Sequence, residues 1–351
     1  MISFERGTIL ILFLLVAILI MLTTLAPAKK TVHAPRGGGD LLKLYGEKQN
    51  IFAQKNYTTG FITNVTRDVE SLLIAPLSPR PEIKQTIKDK NTVEKLTKKF
   101  LDLGYHLEDV RMGYRRVPRL FLASMPEDIR SIQKPKFRKE FFFRTILPLI
   151  LQTNEEIMND KSRMITLKQK IFLGEDIGPV NRLWLLVLFD RYKVKRYGWD
   201  ELIVRMDIVP PSLALAQAAE ESGWGASRFV RQGNAIFGEW TGADNIGIIP
   251  KYRDPGKYHK IRVFKTLLDS VRAYVKNLNT HRAYRKMRSI RLKFRESGMK
   301  IDGLKLASSL RNYSERGIEY VSTIVSIIRT NHLSRLDNVR LSKENLPEPA
   351  I

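Results

Sequence analysis

The chain has 351 residues, enough for one large domain or two modest ones. Apolar residues make up 43% of the chain, which is enough to bury a core. Cys is absent, which excludes disulfides, a Cys-ligated metal site and a thiol nucleophile. The 60 Lys and Arg outnumber the 36 Asp and Glu, which predicts affinity for polyanions such as nucleic acid, anionic lipid or a wall polymer.

The first 28 residues have the pattern of a membrane segment. Gly7 to Ala28 is a run of 22 residues without a charge, and a helix needs about 20 apolar residues to cross a bilayer. Ala26-Pro27-Ala28 is a weak match to a signal-peptide cleavage site. We therefore expect residues 1–28 to be a retained anchor, with a cleaved signal peptide as the alternative.

The following region reads as a connector and then a folded body. Gly37-Gly38-Gly39 and the three prolines between Ala75 and Pro81 are typical of a linker. We expect a linker or stalk with modest local structure at 29–115, a helical lead-in at 116–196, a catalytic domain at 197–335 and a C-terminal tail at 336–351.

The folded body is predicted to be mainly helical. Apolar residues recur at helical spacing or in dense runs in four segments, Glu140–Gln152, Arg182–Tyr192, Thr266–Thr280 and Tyr320–Ile328. Pro148 is expected to interrupt the first, and the second is expected to be a buried helix. Gly242–Phe264, with its Gly, Pro, Ile and Val content, favours a small β region.

Positive charge is concentrated in residues 251–300, which hold sixteen Lys and Arg against three acidic residues. A solvated face on basic helices explains this equally well as a surface that follows an anionic polymer. The second interpretation predicts binding that weakens with salt.

The segment from Pro210 to Trp240 carries the chemistry. Pro210-Pro211 begins a helix and Gly223 can end it, so Glu220 and Glu221 fall in the last turn. The negative end of the helix dipole and a covering Trp224 would both raise a carboxyl pKa there. A carboxylic acid that stays protonated near neutral pH is what a glycosidase uses to protonate a leaving sugar oxygen. The alternative is an ordinary exposed pair of glutamates.

The run Ala216-Gln217-Ala218-Ala219, followed by Glu221-Ser222-Gly223-Trp224-Gly225, resembles the signature of the bacterial glucosaminidases, glycoside hydrolase family 73. Gly233-Asn234 and Phe237-Gly238 match the same signature. The resemblance is to the Bax-like branch, related to the flagellar peptidoglycan hydrolase, and covers roughly residues 115–335. Its other motifs are Val117-Pro118-Arg119, Pro126-Glu127-Asp128, Leu147-Pro148-Leu149, Asn154-Glu155-Glu156, Leu278-Asn279-Thr280-His281, Ala283-Tyr284, Tyr313-Ser314-Glu315-Arg316-Gly317 and Tyr320-Val321.

The resemblance implies a mainly α, lysozyme-like α+β domain with a helical lobe and a small β lobe. It implies endo-β-N-acetylglucosaminidase activity on peptidoglycan glycan strands, with Glu221 as general acid and a catalytic tyrosine at Tyr313 or Tyr320. We expect substrate contacts at Gln217, Ser222, Trp224, Asn234, Phe237 and Trp240.

The second catalytic group stays open. The acidic candidates are Glu239, Asp244 and Asp254, and the N-acetyl group of the substrate could act in their place. The five histidines show no ligand spacing and no cofactor motif occurs, so we expect neither a metal nor a cofactor.

Two alternatives keep the substrate: a muramidase or lytic transglycosylase, and a non-catalytic wall-binding or assembly protein. A specific nucleic-acid binder has only net charge in its favour. The expected partners are glycan strands and anionic wall polymers or a membrane surface, and we expect a monomer. On functional grounds we place the chain in the bacterial cell envelope, anchored in the inner membrane with its catalytic domain in the periplasm, or exported if the segment is cleaved.

Overall fold

The computed structural model describes residues 86–87, 92–241, 247–250 and 260–343. The predicted anchor or signal at 1–28, most of the predicted linker, and Asp244 and Asp254 lie outside these residues. Within the described part of the chain, no helix combines the length and apolarity needed to cross a bilayer.

Helices dominate the described residues. The α-helices are, in chain order, α1 Val93–Asp102, α2 Leu107–Arg111, α3 Pro135–Phe172, α4 Gly178–Arg191, α5 Trp199–Arg205, α6 Pro211–Ser222, α7 Arg228–Gly233, α8 Leu267–Thr280, α9 Arg285–Glu296, α10 Gly303–Ala307 and α11 Ile318–Thr330. Short 3-10 turns occupy Glu127–Ser131, Arg282–Tyr284, Leu310–Asn312 and Leu333–Leu336.

Two small sheets complete the fold. Strands β1 (Thr86–Ile87) and β2 (Phe121–Leu122) pair in parallel. Strands β3 (Trp240–Thr241), β4 (Gly247–Ile248) and β5 (Lys260–Arg262) form an antiparallel sheet in the order β3-β5-β4, with β5 at its centre. This sheet stands between α7 and α8, where the sequence predicted the β region. The mainly α, lysozyme-like architecture with a small β lobe is therefore confirmed.

Helix α6 is the centre of the molecule. Every residue from Pro211 to Ala219 is buried, and the helix contacts α3, α10, α11 and the last 3-10 turn. Its Ala- and Leu-rich sequence favours a helix, and the small side chains let neighbouring helices approach closely. The Asp337 carboxylate anchors its first turn by accepting hydrogen bonds from the Ser212 backbone N–H and hydroxyl, each at 2.8 Å.

The predicted interruption at Pro148 is wrong, because α3 runs through this residue for 38 residues. A proline inside a helix loses one backbone hydrogen bond, at a cost of about 3 kcal/mol or more. All residues from 141 to 154 are buried. Their packing outweighs the local penalty, and local sequence signals do not report that burial.

The folded body begins earlier and ends later than the sequence predicted. Val93, Leu96 and Phe100 of α1 are buried in the main core, and the Phe100 ring lies 5.8 Å from the Phe141 ring. At the other end, Leu341 is buried and bridges to Val117. Helix α1 and Leu341 therefore belong to the folded body although they lie outside the predicted boundaries at 115 and 335, because they pack against its apolar core.

The boundary at 196 does not separate two cores either. The main apolar cluster joins α1, α2 and the first half of α3 with α6, α8, α10 and α11. A second cluster holds the far half of α3 together with α4 and α5. Helix α4 is buried on only one face, because Trp184 and Leu188 are enclosed while Val180 and Leu183 are exposed.

Candidate active site

The last turn of α6 ends in a tight left-handed run. Gly223, Trp224 and Gly225 have φ of 56°, 58° and 79°. The Ser222 hydroxyl donates to the Ala218 carbonyl and accepts from the Gly225 N–H at 2.9 Å. The predicted helix stop at Gly223 is confirmed, and the turn fixes where α6 presents its final carboxylates.

Glu221 lies half-buried at this helix end. Burial raises the pKa of its carboxyl, and the negative charge of Glu220 raises it further. A hydrogen bond from Tyr320 and the positive charge of Arg316 act in the opposite direction. The raised pKa agrees with the prediction, and its causes are burial and the charge of Glu220. The Trp224 ring packs against the Phe142 and Phe143 rings, at 6.0 Å and 5.5 Å.

A chain of hydrogen bonds orients the group that contacts Glu221. The Tyr274 hydroxyl donates to Gln217 Oε1 at 2.7 Å, and Gln217 Nε2 donates to the Tyr320 hydroxyl at 3.0 Å. Because a phenol has one proton, a Tyr320 hydroxyl that accepts from Gln217 directs its own proton to Glu221. The Glu221 carboxyl thus faces a Tyr320 hydroxyl that the hydrogen bond from Gln217 holds in place.

Three tyrosines, Tyr284, Tyr313 and Tyr320, form what we call the tyrosine row. The rings of Tyr313 and Tyr320 are stacked at 5.3 Å and 11°, and Tyr284 lies 5.8 Å from Tyr313. Burial raises the pKa of Tyr284 to about 12, with further contributions from the charges of Glu239 and Glu221. The pKa of Tyr284 therefore depends on the charges of both the Glu221 and the Glu239 carboxyls. The sequence did not single it out, although it lies within the resembling Ala283-Tyr284 motif.

Glu239 is the second carboxyl of this region. It directly precedes β3, and its Oε1 is enclosed without a hydrogen-bond partner among the described residues. Burial raises the pKa of its carboxyl to about 7, against the opposing charges of Arg262 and Lys276. Arg262 lies 3.9 Å from the other carboxylate oxygen. Of the three acidic candidates, Glu239 is the one the structure describes, and it lies beside the tyrosine row.

The two adjacent glutamates have different surroundings. Arg316 binds Glu220 at 2.6 Å and donates to the Thr323 hydroxyl at 2.9 Å. Glu221 instead meets the Tyr320 hydroxyl. Since the ion pair holds Glu220, Glu221 is the glutamate directed at the tyrosine row.

Comparisons with known proteins agree with this geometry. Residues 200–333 match a protein-family model described as Glucosaminidase: Mannosyl-glycoprotein endo-beta-N-acetylglucosaminidase. Protein bax of Escherichia coli (strain K12) is 32% identical over 215 residues, which cover 60% of this chain and 75% of that protein. The chain belongs to the Bax-like glucosaminidase family. No solved structure matches it significantly.

In this member of the glucosaminidase family, four of the residues predicted to contact substrate have partners within the protein. Gln217 and Ser222 are fully buried in the hydrogen bonds described above. Asn234 adopts a left-handed conformation and donates to the Phe264 and Lys265 carbonyls, both at 3.1 Å. Phe237 stacks on Tyr274 at 3.7 Å. These side chains hold the site together, and their direct contact with substrate stays a prediction.

The two tryptophans remain more accessible. Trp224 is half-buried, with the Lys139 ammonium 4.7 Å from its ring centroid. Trp240 is 64% exposed on β3, next to Glu239. An exposed aromatic ring beside an enclosed carboxyl is a suitable platform for a sugar ring, since it offers apolar area at low entropic cost.

The basic stretch at 251–300 is partly structural, and a surface that follows an anionic polymer stays a prediction for its exposed residues. Arg272 binds Glu156 and Asp269, and Arg295 binds Asp207. Two more of its arginines are buried and donate to backbone carbonyls, Arg288 and Arg291. Residues 251–259 lie outside the described part of the chain. Among the described residues, no three His, Asp or Glu side chains gather as metal ligands would.

Proposed function

We propose that this glucosaminidase-family protein is an endo-β-N-acetylglucosaminidase that hydrolyses peptidoglycan glycan strands with Glu221 as the general acid. The observation that carries the proposal is the half-buried Glu221 carboxyl with its raised pKa, held at the end of α6 against Tyr320. A carboxyl of this kind keeps its proton closer to neutral pH and can transfer it to a leaving oxygen.

The Tyr320 hydroxyl supports that transfer. As the glycosidic bond breaks, the Glu221 proton moves to the leaving sugar oxygen, and the carboxyl becomes a carboxylate. The Tyr320 hydroxyl accepts from Gln217 Nε2 at 3.0 Å, which leaves its own proton to stabilise the Glu221 carboxylate as the charge forms. Hydrogen bonds to charged groups are about twice as strong as those between neutral groups.

The other half of the reaction delivers water to the anomeric carbon, and the proton of that water passes to a base. Glu239 is our preferred base, because it lies beside the same tyrosine row. Its pKa of about 7 leaves it partly ionised at neutral pH. Asp244, Asp254 and the N-acetyl group of the substrate remain the alternatives.

The decisive experiment digests purified peptidoglycan with the protein from residue 31 onward and identifies the products by mass spectrometry. Reducing-end N-acetylglucosamine is expected. Reducing-end muramic acid would indicate a muramidase, and anhydromuramic acid would indicate a lytic transglycosylase. The Glu221→Gln variant should lose about 10²–10⁴-fold in rate, the usual contribution of a general acid.

Glu220→Gln is the matched comparison, since Glu220 is bound to Arg316 rather than to Tyr320. It should lose far less activity. A Glu221→Gln enzyme as fast as the wild type would rule out the proposed acid. Unchanged biological effect in the same variant would favour a non-catalytic wall-binding role.

We also propose that the protein works in the cell envelope, held at the inner membrane by residues 7–28 with the catalytic domain in the periplasm. The support is the uncharged 22-residue run in the sequence together with a substrate class that lies outside the cytoplasm. If the segment is a cleaved signal, the same domain would be exported without an anchor.

A further inference from the structure

Four positively charged side chains come from the segments that carry the tyrosine row. Arg282 and Arg285 flank Tyr284 in the chain, and Lys286 follows. Arg311 lies two residues before Tyr313, in a 3-10 turn that contacts the turn of Arg282. We call Arg282, Arg285, Lys286 and Arg311 the cationic rim.

No acidic side chain in the described part of the chain neutralises the cationic rim. All four residues are exposed, and none has a carboxylate within 4.0 Å among the described residues. Other arginines nearby do have such partners. Arg295 binds Asp207 at 2.7 Å, and Arg316 binds Glu220 at 2.6 Å.

The charge of Arg285, a residue of the rim, also acts on the buried guanidinium of Arg288. Burial lowers the pKa of the Arg288 guanidinium to about 10, and the charges of Arg205 and Arg285 lower it further. Glu201 offsets only part of this effect. An anion bound at the rim would relieve the repulsion, so the site is electrostatically prepared for one.

We propose that the cationic rim binds carboxylates carried by the substituents of the same glycan strand that lies against the tyrosine row. The inference rests on the proposed function, because it assigns that site a preference for acidic peptidoglycan over neutral glycan. Peptidoglycan carries free carboxylates on the stem peptides that are attached to its glycan strand. A strand at Tyr284 and Tyr313 would bring these groups to the turns that hold Arg282 and Arg311.

The residue types fit this ligand. Three of the four cations are arginines, whose planar guanidinium can hold a carboxylate with two parallel hydrogen bonds. Within the described part of the chain, the side chains of Arg282, Arg285 and Arg311 donate no hydrogen bond that would have to break first, although backbone atoms of their turns are engaged. A separate anionic polymer would not need binding groups next to the catalytic tyrosines.

The test compares two forms of one substrate. One is intact peptidoglycan, and the other is the same peptidoglycan after its carboxylates have been amidated with carbodiimide and ammonium, which removes charge but keeps the glycan. The variant is Arg282→Gln with Arg285→Gln and Arg311→Gln. An exposed charge pair is worth roughly 0.2–1 kcal/mol, so the triple variant should lose about 3- to 150-fold in initial rate at limiting intact substrate.

On the amidated substrate the triple variant and the wild type should differ by less than about twofold, because the partner charge is gone. The loss on intact substrate should also shrink near 1 M salt, where the Debye length is about 3 Å. The control variant combines Lys95→Gln, Lys98→Gln and Arg340→Gln, which removes the same charge from exposed positions outside the tyrosine row. It should match the wild type on both substrates.

Three outcomes would overturn the inference: a triple variant as fast as the wild type on intact substrate, an equal loss on amidated substrate, or an equal loss in the control variant. If the triple variant loses only its binding to phosphate-rich polymer or to anionic vesicles, those are the partners of the rim, and the inference is likewise overturned. If the wild type cleaves neither substrate, the proposed function itself fails. The two failures are therefore distinguishable.

Discussion

Replacing Tyr320 with Phe removes the hydroxyl that donates to Glu221 and leaves the ring in place. The ring is buried and stacks on Tyr313 at 5.3 Å, so the packing of the tyrosine row should survive. The lost contacts are the hydrogen bond to Glu221 and the one accepted from Gln217 at 3.0 Å.

The expected size of the effect follows from the charge on Glu221. A hydrogen bond to a charged group contributes about 1.5–3 kcal/mol, and it stabilises the carboxylate that forms when the proton is transferred. Since about 1.4 kcal/mol corresponds to tenfold, turnover should fall by roughly 10- to 150-fold.

The pH dependence supplies a second signature. Glu221 acts in its protonated form, so its pKa sets the alkaline limb of the pH–rate profile. The Tyr320 hydrogen bond lowers this pKa. Its removal should raise the pKa and move the alkaline limb to higher pH, although the maximal rate falls. A merely structural lesion would lower the rate without moving the limb.

The assay is release of dye from labelled peptidoglycan across pH 4–9 with purified enzyme. Tyr105→Phe is the control, because Tyr105 is also buried and its hydroxyl has no hydrogen-bond partner among the described residues. It should keep wild-type activity and profile. An alkaline limb that moves to lower pH in Tyr320→Phe, or a rate equal to that of the wild type, would refute the assignment of Tyr320 as the donor to Glu221.

Four further measurements test other parts of the structure. The pKa of Glu239 is raised to about 7 from a usual 4.5, which means that the folded state binds the proton more tightly than the unfolded state does. The resulting stabilisation is present below pH 4.5 and is lost as the pH rises through 7, by about 3 kcal/mol at most. Urea titrations should therefore show a flatter pH dependence of the free energy of unfolding in Glu239→Gln. Gly225→Ala places a Cβ 3.0 Å from two side chains at a left-handed φ and should destabilise the fold by about 2–4 kcal/mol. Gly113→Ala, with φ of 79° and open space around the Cβ, should cost only the backbone strain of about 1–2 kcal/mol. Equal losses of the two variants in thermal unfolding would contradict the packing argument. Phe100→Ala should cost about 3–5 kcal/mol if α1 belongs to the core, and a neutral result would return it to the linker. Full-length protein should stay with membranes in alkaline carbonate if residues 7–28 are an anchor, whereas a soluble species starting near residue 29 would identify a cleaved signal.

Local sequence signals were sufficient for the end of α6. Ala and Leu favour the helix, proline fits its first position and Gly223 accepts the left-handed cap, so each decision depends on residues within one or two turns. The same is true of α8, which begins where Thr266 caps the Asp269 N–H. The family signature around Glu221 is also contiguous in sequence, and it therefore identified the family before the fold was known.

Distant contacts decided the roles of the residues around that acid. Gln217 was predicted to bind substrate, but Tyr274 and Tyr320, 57 and 103 residues away, take up its amide. Tyr284 acquires its importance only because α8 and the turn before α9 bring it beside Glu239. No local pattern encodes such pairings, since each depends on how helices pack across the core.

Packing also set the limits of the folded body. Residues 93–102 carry a local helix signal, since Thr92 caps the helix and Val93, Leu96 and Phe100 recur at helical spacing. Only the contacts of Phe100 with Tyr105 and Phe141 show that α1 is part of the core. Pro148 would end an isolated helix but is tolerated in α3, where burial on all sides outweighs one lost hydrogen bond. Sequence alone thus determined the end of α6, the start of α8 and the family. The tertiary structure decided which polar side chains are engaged within the protein, because burial and hydrogen bonding between distant residues are properties of the packed chain.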